Sequence, residues 1–155
     1  MYENGIEVEK DLKAALAWYR KASQKGSSGA QFNLGVLYEN GRGTEVNFAE
    51  ANEWYRQAAV QGDPLAMGNL GMLYIRGDGV PVNKVAGIAL LLQSATLNSS
   101  LGNNAKQNIS GTPGLTPQII QEAQALVDQM GKAKNLLLPL EQQLTLANIP
   151  KYLGY

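Results

Sequence analysis

The chain contains no cysteine and no histidine. The first absence excludes disulfides and thiolate metal sites. The second removes the usual general base near neutral pH and the commonest zinc ligand. Charge of one sign is also missing: Lys plus Arg and Asp plus Glu number 13 each. That balance gives no reason to expect binding to nucleic-acid phosphates or to anionic lipid. Long hydrophobic runs are wanting too. The longest, at 85–92 and 136–140, fall far short of the ~20 residues of a membrane span. Met1 is followed by "YENG", not by the basic and then apolar stretch of a signal peptide.

The 155 residues are enough for one domain with a sizeable core, and what fills them is a repeat. "LGVLYENGRG" at 34–43 returns as "LGMLYIRGDG" at 70–79, a spacing of 36 residues. Between 29–43 and 65–79, eight of 15 positions are identical without a gap. The same spacing aligns Tyr2 with Tyr38 and Tyr74, and Gly5 with Gly41 and Gly77. Trp18 meets Trp54 and then Leu90; Tyr19 meets Tyr55 and then Leu91; Gly26 meets Gly62 and then Asn98.

Each unit reads as two helices. Asp11, Asn47 and Asn83 fall at one phase and suit an N-cap, with Glu50 placed three residues after Asn47 as in a capping box. Ala15, Trp18, Tyr19 and Ala22 then share one helical face. Gly26 and Gly62 suit the left-handed residue that ends a helix, and Asn98 is the next best choice there. In the other helix, Ala30, Leu34, Leu37 and Tyr38 form an apolar stripe that Ala66, Leu70, Leu73 and Tyr74 repeat. Gly35 and Gly71 lie inside this helix, where glycine costs about 1 kcal/mol relative to alanine; close approach of a neighbouring helix is the expected compensation. Gly41 and Gly77 suit the next C′ position, and Gly43 and Gly79 permit the turn beyond it. Trp18, Trp54, Tyr38 and Tyr74 read as core or inter-repeat packing. A hairpin this short cannot bury its stripe alone, so the expected fold is all-α, a short solenoid of stacked hairpins.

The pattern A-x-x-N-L-G-x-L-Y-x-x-G-x-G, followed by A-x-x-W-Y-R-x-A and a glycine, resembles the Sel-1-like repeat, a relative of the tetratricopeptide repeat. The resemblance is specific over 1–83 and weaker over 84–110, where "SLGNNAKQNI" lacks the Leu-Gly and Tyr signature of the earlier units. It implies a right-handed α-α superhelix over 1–110, with units near 2–37, 38–73 and 74–109. In this phase residues 1–5 match the final turn of a second helix, so the first unit is expected to be truncated and the chain to be a piece of a longer array. Beyond it, Thr116 suits an N-cap and Pro117 the first helical position. Ile119, Ile120, Ala123, Leu126, Val127 and Met130 give the following helix an apolar face. "L-T-P-x-x-I-x-E-A-Q-x-L" is similar to the closing helix of the family, which makes 111–131 a capping helix. The tail at 132–155 has no repeat phase, is broken by Pro139 and Pro150, and is expected to be irregular.

Chemistry is sparse. Gly41-Arg42-Gly43 and Gly77-Asp78-Gly79 follow no strand and extend to no phosphate-binding motif. The acidic groups Glu7, Glu9, Asp11 and Glu50, Glu53 lack the order of a calcium loop. No serine has a lysine three residues later, so the S-x-x-K pattern of serine acylation is missing. No catalytic, cofactor-binding or metal-binding residue is assigned, and no cofactor is expected.

What remains is a surface. The Leu-Gly-Tyr helix resembles the groove-lining helix of a tetratricopeptide unit. With its stripe turned inward, its other side carries Phe32, Asn33, Val36, Glu39 and Asn40, repeated as Gly68, Asn69, Met72, Ile75 and Arg76. This strip is the expected site for another protein or an extended peptide. Asn33 and Asn69 either hold peptide backbone or bond a nearby helix or loop. Only Lys106, Glu122 and Asp128 are charged between 85 and 131, so that region is expected to be covered by the tail or by a partner. The resemblance implies a non-catalytic interaction module. Bacterial members are frequently exported and some are immunity proteins against secreted toxins, including lipases, which favours a periplasmic or exported setting. A β-lactam or cell-wall hydrolase-like enzyme and a structural oligomer are the competing readings, and oligomeric state stays open.

Overall fold

A computed structural model describes residues 2–132, with side chains from 11 to 130 apart from Asn103. The helices are α1 (Tyr2–Gln24), α2 (Ser28–Asn40), α3 (Phe48–Val60), α4 (Pro64–Arg76), α5 (Lys84–Leu97), α6 (Gly102–Ser110) and α7 (Pro117–Lys132), with a 3-10 turn at Ser99–Leu101. No strand occurs among the described residues. The tail, beyond Lys132, lies outside them.

Caps set the boundaries. The side chains of Asn47 and Asn83 accept from the amides of Glu50 (3.1 Å) and Ala86 (3.0 Å) and start α3 and α5. Thr116 accepts from Ile119 N at 3.2 Å and starts α7. Ser27 and Asp63 do the same for α2 and α4. Gly26 and Gly62, both at φ 93°, make the turns that precede them. The α2–α3 and α4–α5 loops are near copies: Asn47 N donates to Tyr38 O at 2.8 Å and Asn83 N to Tyr74 O at 2.9 Å. Gly43 and Gly79 both hold φ 72°, and a Cβ there would lie 2.7 Å from the backbone of Leu12 and Phe48 respectively. The second glycine of each loop therefore presses on a helix of the preceding unit, inside α1 in one case and at the start of α3 in the other.

Three local expectations are corrected. Asp11 caps nothing: it sits inside α1, which runs unbroken from Tyr2. Where later units have Gly-x-Gly, this one has Gly5-Ile6-Glu7, and glutamate does not readily take the left-handed conformation of Gly43 and Gly79. Asn98 is extended at φ −141°, not left-handed, because its side chain caps the 3-10 turn by accepting from Ser100 N at 3.1 Å. Trp18 is 74 % exposed, since no element among the described residues covers it; Trp54 is half-buried against the core.

The hairpins pack in sequence order. α2 lies between α1 and α3, α4 between α3 and α5, and α5 also carries α6 and α7. Leu34, Met67, Leu70, Leu73, Ile88 and Leu90 are fully buried along this line. Within each hairpin the helices touch at glycine. A Cβ on Gly35 would come 2.5 Å from the Tyr55 ring, and one on Gly71 would come 2.7 Å from Gly87 O. Between hairpins, Arg20 donates to the Tyr38 hydroxyl and Arg56 to the Tyr74 hydroxyl, so the same latch recurs at the unit spacing. At the far end α7 buries Ala123, Leu126 and Met130 against the body. The architecture is a helical-repeat superhelix.

Gly68 and Gly71 lie on the same helix but in opposite surroundings. A Cβ on Gly68 would meet only Ser94 Oγ at 3.5 Å, an ordinary contact. Gly68→Ala is therefore expected to raise stability by up to about 1 kcal/mol through helix propensity. Gly71→Ala is expected to lower it by about 1–3 kcal/mol, because backbone and not a flexible side chain blocks the new methyl. Thermal unfolding of the two variants should shift in opposite directions.

Candidate partner-binding face

The expected strip lies on α2 and α4, and three of its members, Phe32, Glu39 and Asn69, meet Tyr55 of α3. The Tyr55 ring is fully buried beside Gly35 and tilts against Phe32, with ring centroids 5.9 Å apart. Its hydroxyl donates to Glu39 Oε2 and accepts from Asn69 Nδ2, both at 3.3 Å. Arg76 reaches Glu39 Oε1 at 3.4 Å and Asp78 Oδ2 at 2.9 Å. Phe32, Glu39, Asn69 and Arg76 thus form one network across two units, centred on a hydroxyl that periodicity alone files under core. Burial, above all, pushes the Tyr55 phenol well above its ordinary 10.0; the Asn69 hydrogen bond offsets part of the rise and the Glu39 carboxylate adds to it.

The remaining members divide. Asn33 is half-buried and Asn40 exposed. Val36 and Met72 are half-buried against the core. Ile75 is a correction: it is 7 % exposed, because its side chain fills the space over Gly87, where a Cβ would come 2.5 Å from Ile75 Cγ1. It cannot line an open surface. Asn69 bonds a tyrosine hydroxyl, neither of the two backbone roles expected of it.

Next to Asn69 the strip opens into a cleft of about 270 Å³ between α4, α5 and α6. Gly68 and Leu91 lie in it, with Asn104, Gln107 and Asn108 of α6 on the far wall. The α6 residues were not among those expected. Their signal was the unit spacing: Asn104 and Asn108 stand 36 residues after Gly68 and Met72. The loss of the Leu-Gly and Tyr signature there hid the phase. Among the described residues, no cluster of three acidic side chains is placed to hold a metal ion.

The Sel1 repeat pattern matches residues 1–27, 28–63 and 64–99. The chain belongs to the Sel1 repeat family. Comparison with curated proteins gives no match. Among solved structures, the chain is similar to c5321, a protective antigen present in uropathogenic Escherichia coli strains and displaying an SLR fold. That match has 34% identity and a TM-score of 0.68, over 76% of this chain and 25% of the antigen. It is also similar to a Sel1 repeat protein from Oxalobacter formigenes, at 31% identity and a TM-score of 0.61, over 84% of this chain and 54% of that one. The chain therefore spans about a quarter and about half of these two relatives. The second and third matched Sel1 units begin with α2 and α4, so they share the period of the units read from sequence but not their phase. Sel1 repeat proteins generally mediate protein–protein interaction, and the family is generally a non-catalytic scaffold. No helix among the described residues is long and apolar enough to cross a membrane.

The Tyr55 network has a titration signature. The neutral phenol is held in the folded Sel1 array, so above about pH 10 the unfolded chain releases this proton before the folded one does. Stability supplied by Tyr55 is full below that pH and declines as pH rises through and beyond it. Phenolate absorbance of the folded protein should show Tyr55 ionising late, and Tyr55→Phe should remove that step.

Proposed function

We propose that this Sel1 array is a non-catalytic module that binds another protein, as an extended segment, along the strip on α2 and α4 and the cleft that continues it onto α6. The observation that carries the reading is the Tyr55 network: Glu39 and Asn69, from two units, are held in place by one buried hydroxyl, and Arg76 pairs with Glu39 beside it. Groups fixed in this way lose little further side-chain freedom when a partner docks. Family membership supports the same class of function.

Within that class, an exported adaptor or a toxin-immunity protein is the finer reading. Its support is the resemblance to bacterial Sel1-like proteins, not a residue of this chain. A β-lactam-acylating version of the enzyme alternative would need an activated serine of the S-x-x-K type, and no serine in the sequence has that lysine.

The test is affinity capture of a stoichiometric partner from the cells of origin, followed by affinity measurements with two charge variants. Arg76 is exposed and its ion pair with Glu39 lies at the surface, where such pairs contribute about 0–1 kcal/mol, so Arg76→Glu should fold normally. It is expected to weaken partner binding at least tenfold. Glu53→Arg, on the exposed side of α3, should leave binding unchanged. Equal affinity in both variants would contradict a site on the strip.

A further inference from the structure

Two units of the same frame differ at one place on this face. In the first hairpin, α2 presents Phe32, whose ring packs on Tyr55. In the second, the residues 36 positions on are Gly68 and Leu91. Both changes reduce volume, and both fall where the cleft of about 270 Å³ lies. The rest of the frame does not close over the gap: a Cβ on Gly68 would meet nothing nearer than Ser94 Oγ at 3.5 Å. Ser94 Oγ is itself engaged, donating to Pro64 O at 2.8 Å. The cleft is thus the space that an aromatic side chain fills one unit earlier, left open among the described residues at its counterpart.

Its walls specify more. Leu65, Leu91, Leu101 and Ala105 supply apolar contact, while Asn69, Asn104, Gln107 and Asn108 supply amides. Among the described residues, no charged side chain lines it. A charged side chain entering would shed hydration with no ionic partner to replace it, whereas amide groups can both donate to and accept from peptide backbone.

We propose that this cleft seats one phenylalanine-sized apolar side chain carried by an uncharged, extended segment of a partner protein, with the α4 and α6 amides holding the segment's backbone on either side. The proposal rests on the interaction reading above and gives it a sequence preference.

The probe is an N-acetylated, C-amidated peptide, Thr-Gln-Phe-Gln-Thr, with versions carrying alanine or glutamate at the centre. Binding to the full chain is followed by amide chemical-shift changes. The phenylalanine peptide should bind at least tenfold more tightly than either version and should shift Gly68, Asn69, Leu91 and Asn108. Gly68→Phe, which supplies the missing ring from within, should weaken that binding at least tenfold. Gln107→Trp, at an exposed lining position, should do the same by narrowing the mouth and guards against misfolding of the first variant. Equal binding of the three peptides, absence of shifts at the cleft, or indifference to both substitutions would overturn the assignment. So would self-association of the chain that Gly68→Phe abolishes, which would seat a second copy there. The two readings fail separately. A captured partner that is sensitive to Arg76→Glu but indifferent to Gly68→Phe removes the cleft and keeps the groove. A phenylalanine peptide blocked by Gly68→Phe, beside a partner indifferent to Arg76→Glu, does the reverse.

Discussion

The close approach of paired helices at glycine is the constraint on which the rest depends. Gly71 and Gly87 bring α4 and α5 into backbone contact, and Gly35 lets α2 close on the Tyr55 ring of α3. Glycine inside a helix is unfavourable by about 1 kcal/mol relative to alanine, and here the loss is offset by packing that a side chain would prevent. Hairpins held this tightly act as units of nearly fixed thickness. Gly43 and Gly79 then press each loop on the preceding unit, and the Arg20–Tyr38 and Arg56–Tyr74 contacts bind α1 to α2 and α3 to α4, across successive units. Stacking of one unit on another follows from these contacts, and no single large core is needed.

A frame that repeats also makes departures from the repeat meaningful. Tyr55 is part of the frame by position, but its hydroxyl gathers groups from two units, and Leu91 at the same position gathers none. Phe32 fills what Gly68 leaves open. The surface chemistry of the array therefore comes from small differences between equivalent positions, while the equivalence itself keeps those positions in register along one face.

This division explains what could be read in advance. The period, the helix pairs, the capping asparagines and the close approach at Gly35 and Gly71 were legible because each rests on a local rule repeated at a fixed spacing. Asp11 and Asn98 were misread for the same reason: periodicity was extended to units in which a neighbouring residue, Glu7 in one case and the 3-10 turn in the other, changes the backbone. Ile75 was misplaced because its neighbour across the hairpin, Gly87, opens a space that no pattern within α4 reveals. The place of Tyr55 and the α6 amides beside the strip was not legible, because it depends on contacts between units. Four of the ten strip residues, Phe32, Glu39, Asn69 and Arg76, meet in the Tyr55 network, and helical spacing alone puts them on one side.

The absence of native cysteine allows the stacking to be measured directly. Gln24, Val60 and Thr96 are exposed and stand one unit apart near the ends of α1, α3 and α5. Nitroxide labels at pairs of engineered cysteines report their separations by electron paramagnetic resonance. Stacked equivalent hairpins require the 24–60 and 60–96 distances to be equal within the reach of the label, and the 24–96 distance to exceed either. A 24–96 distance no longer than the two shorter ones, or two clearly unequal steps, would contradict a translational array and with it the continuous face proposed to bind a partner.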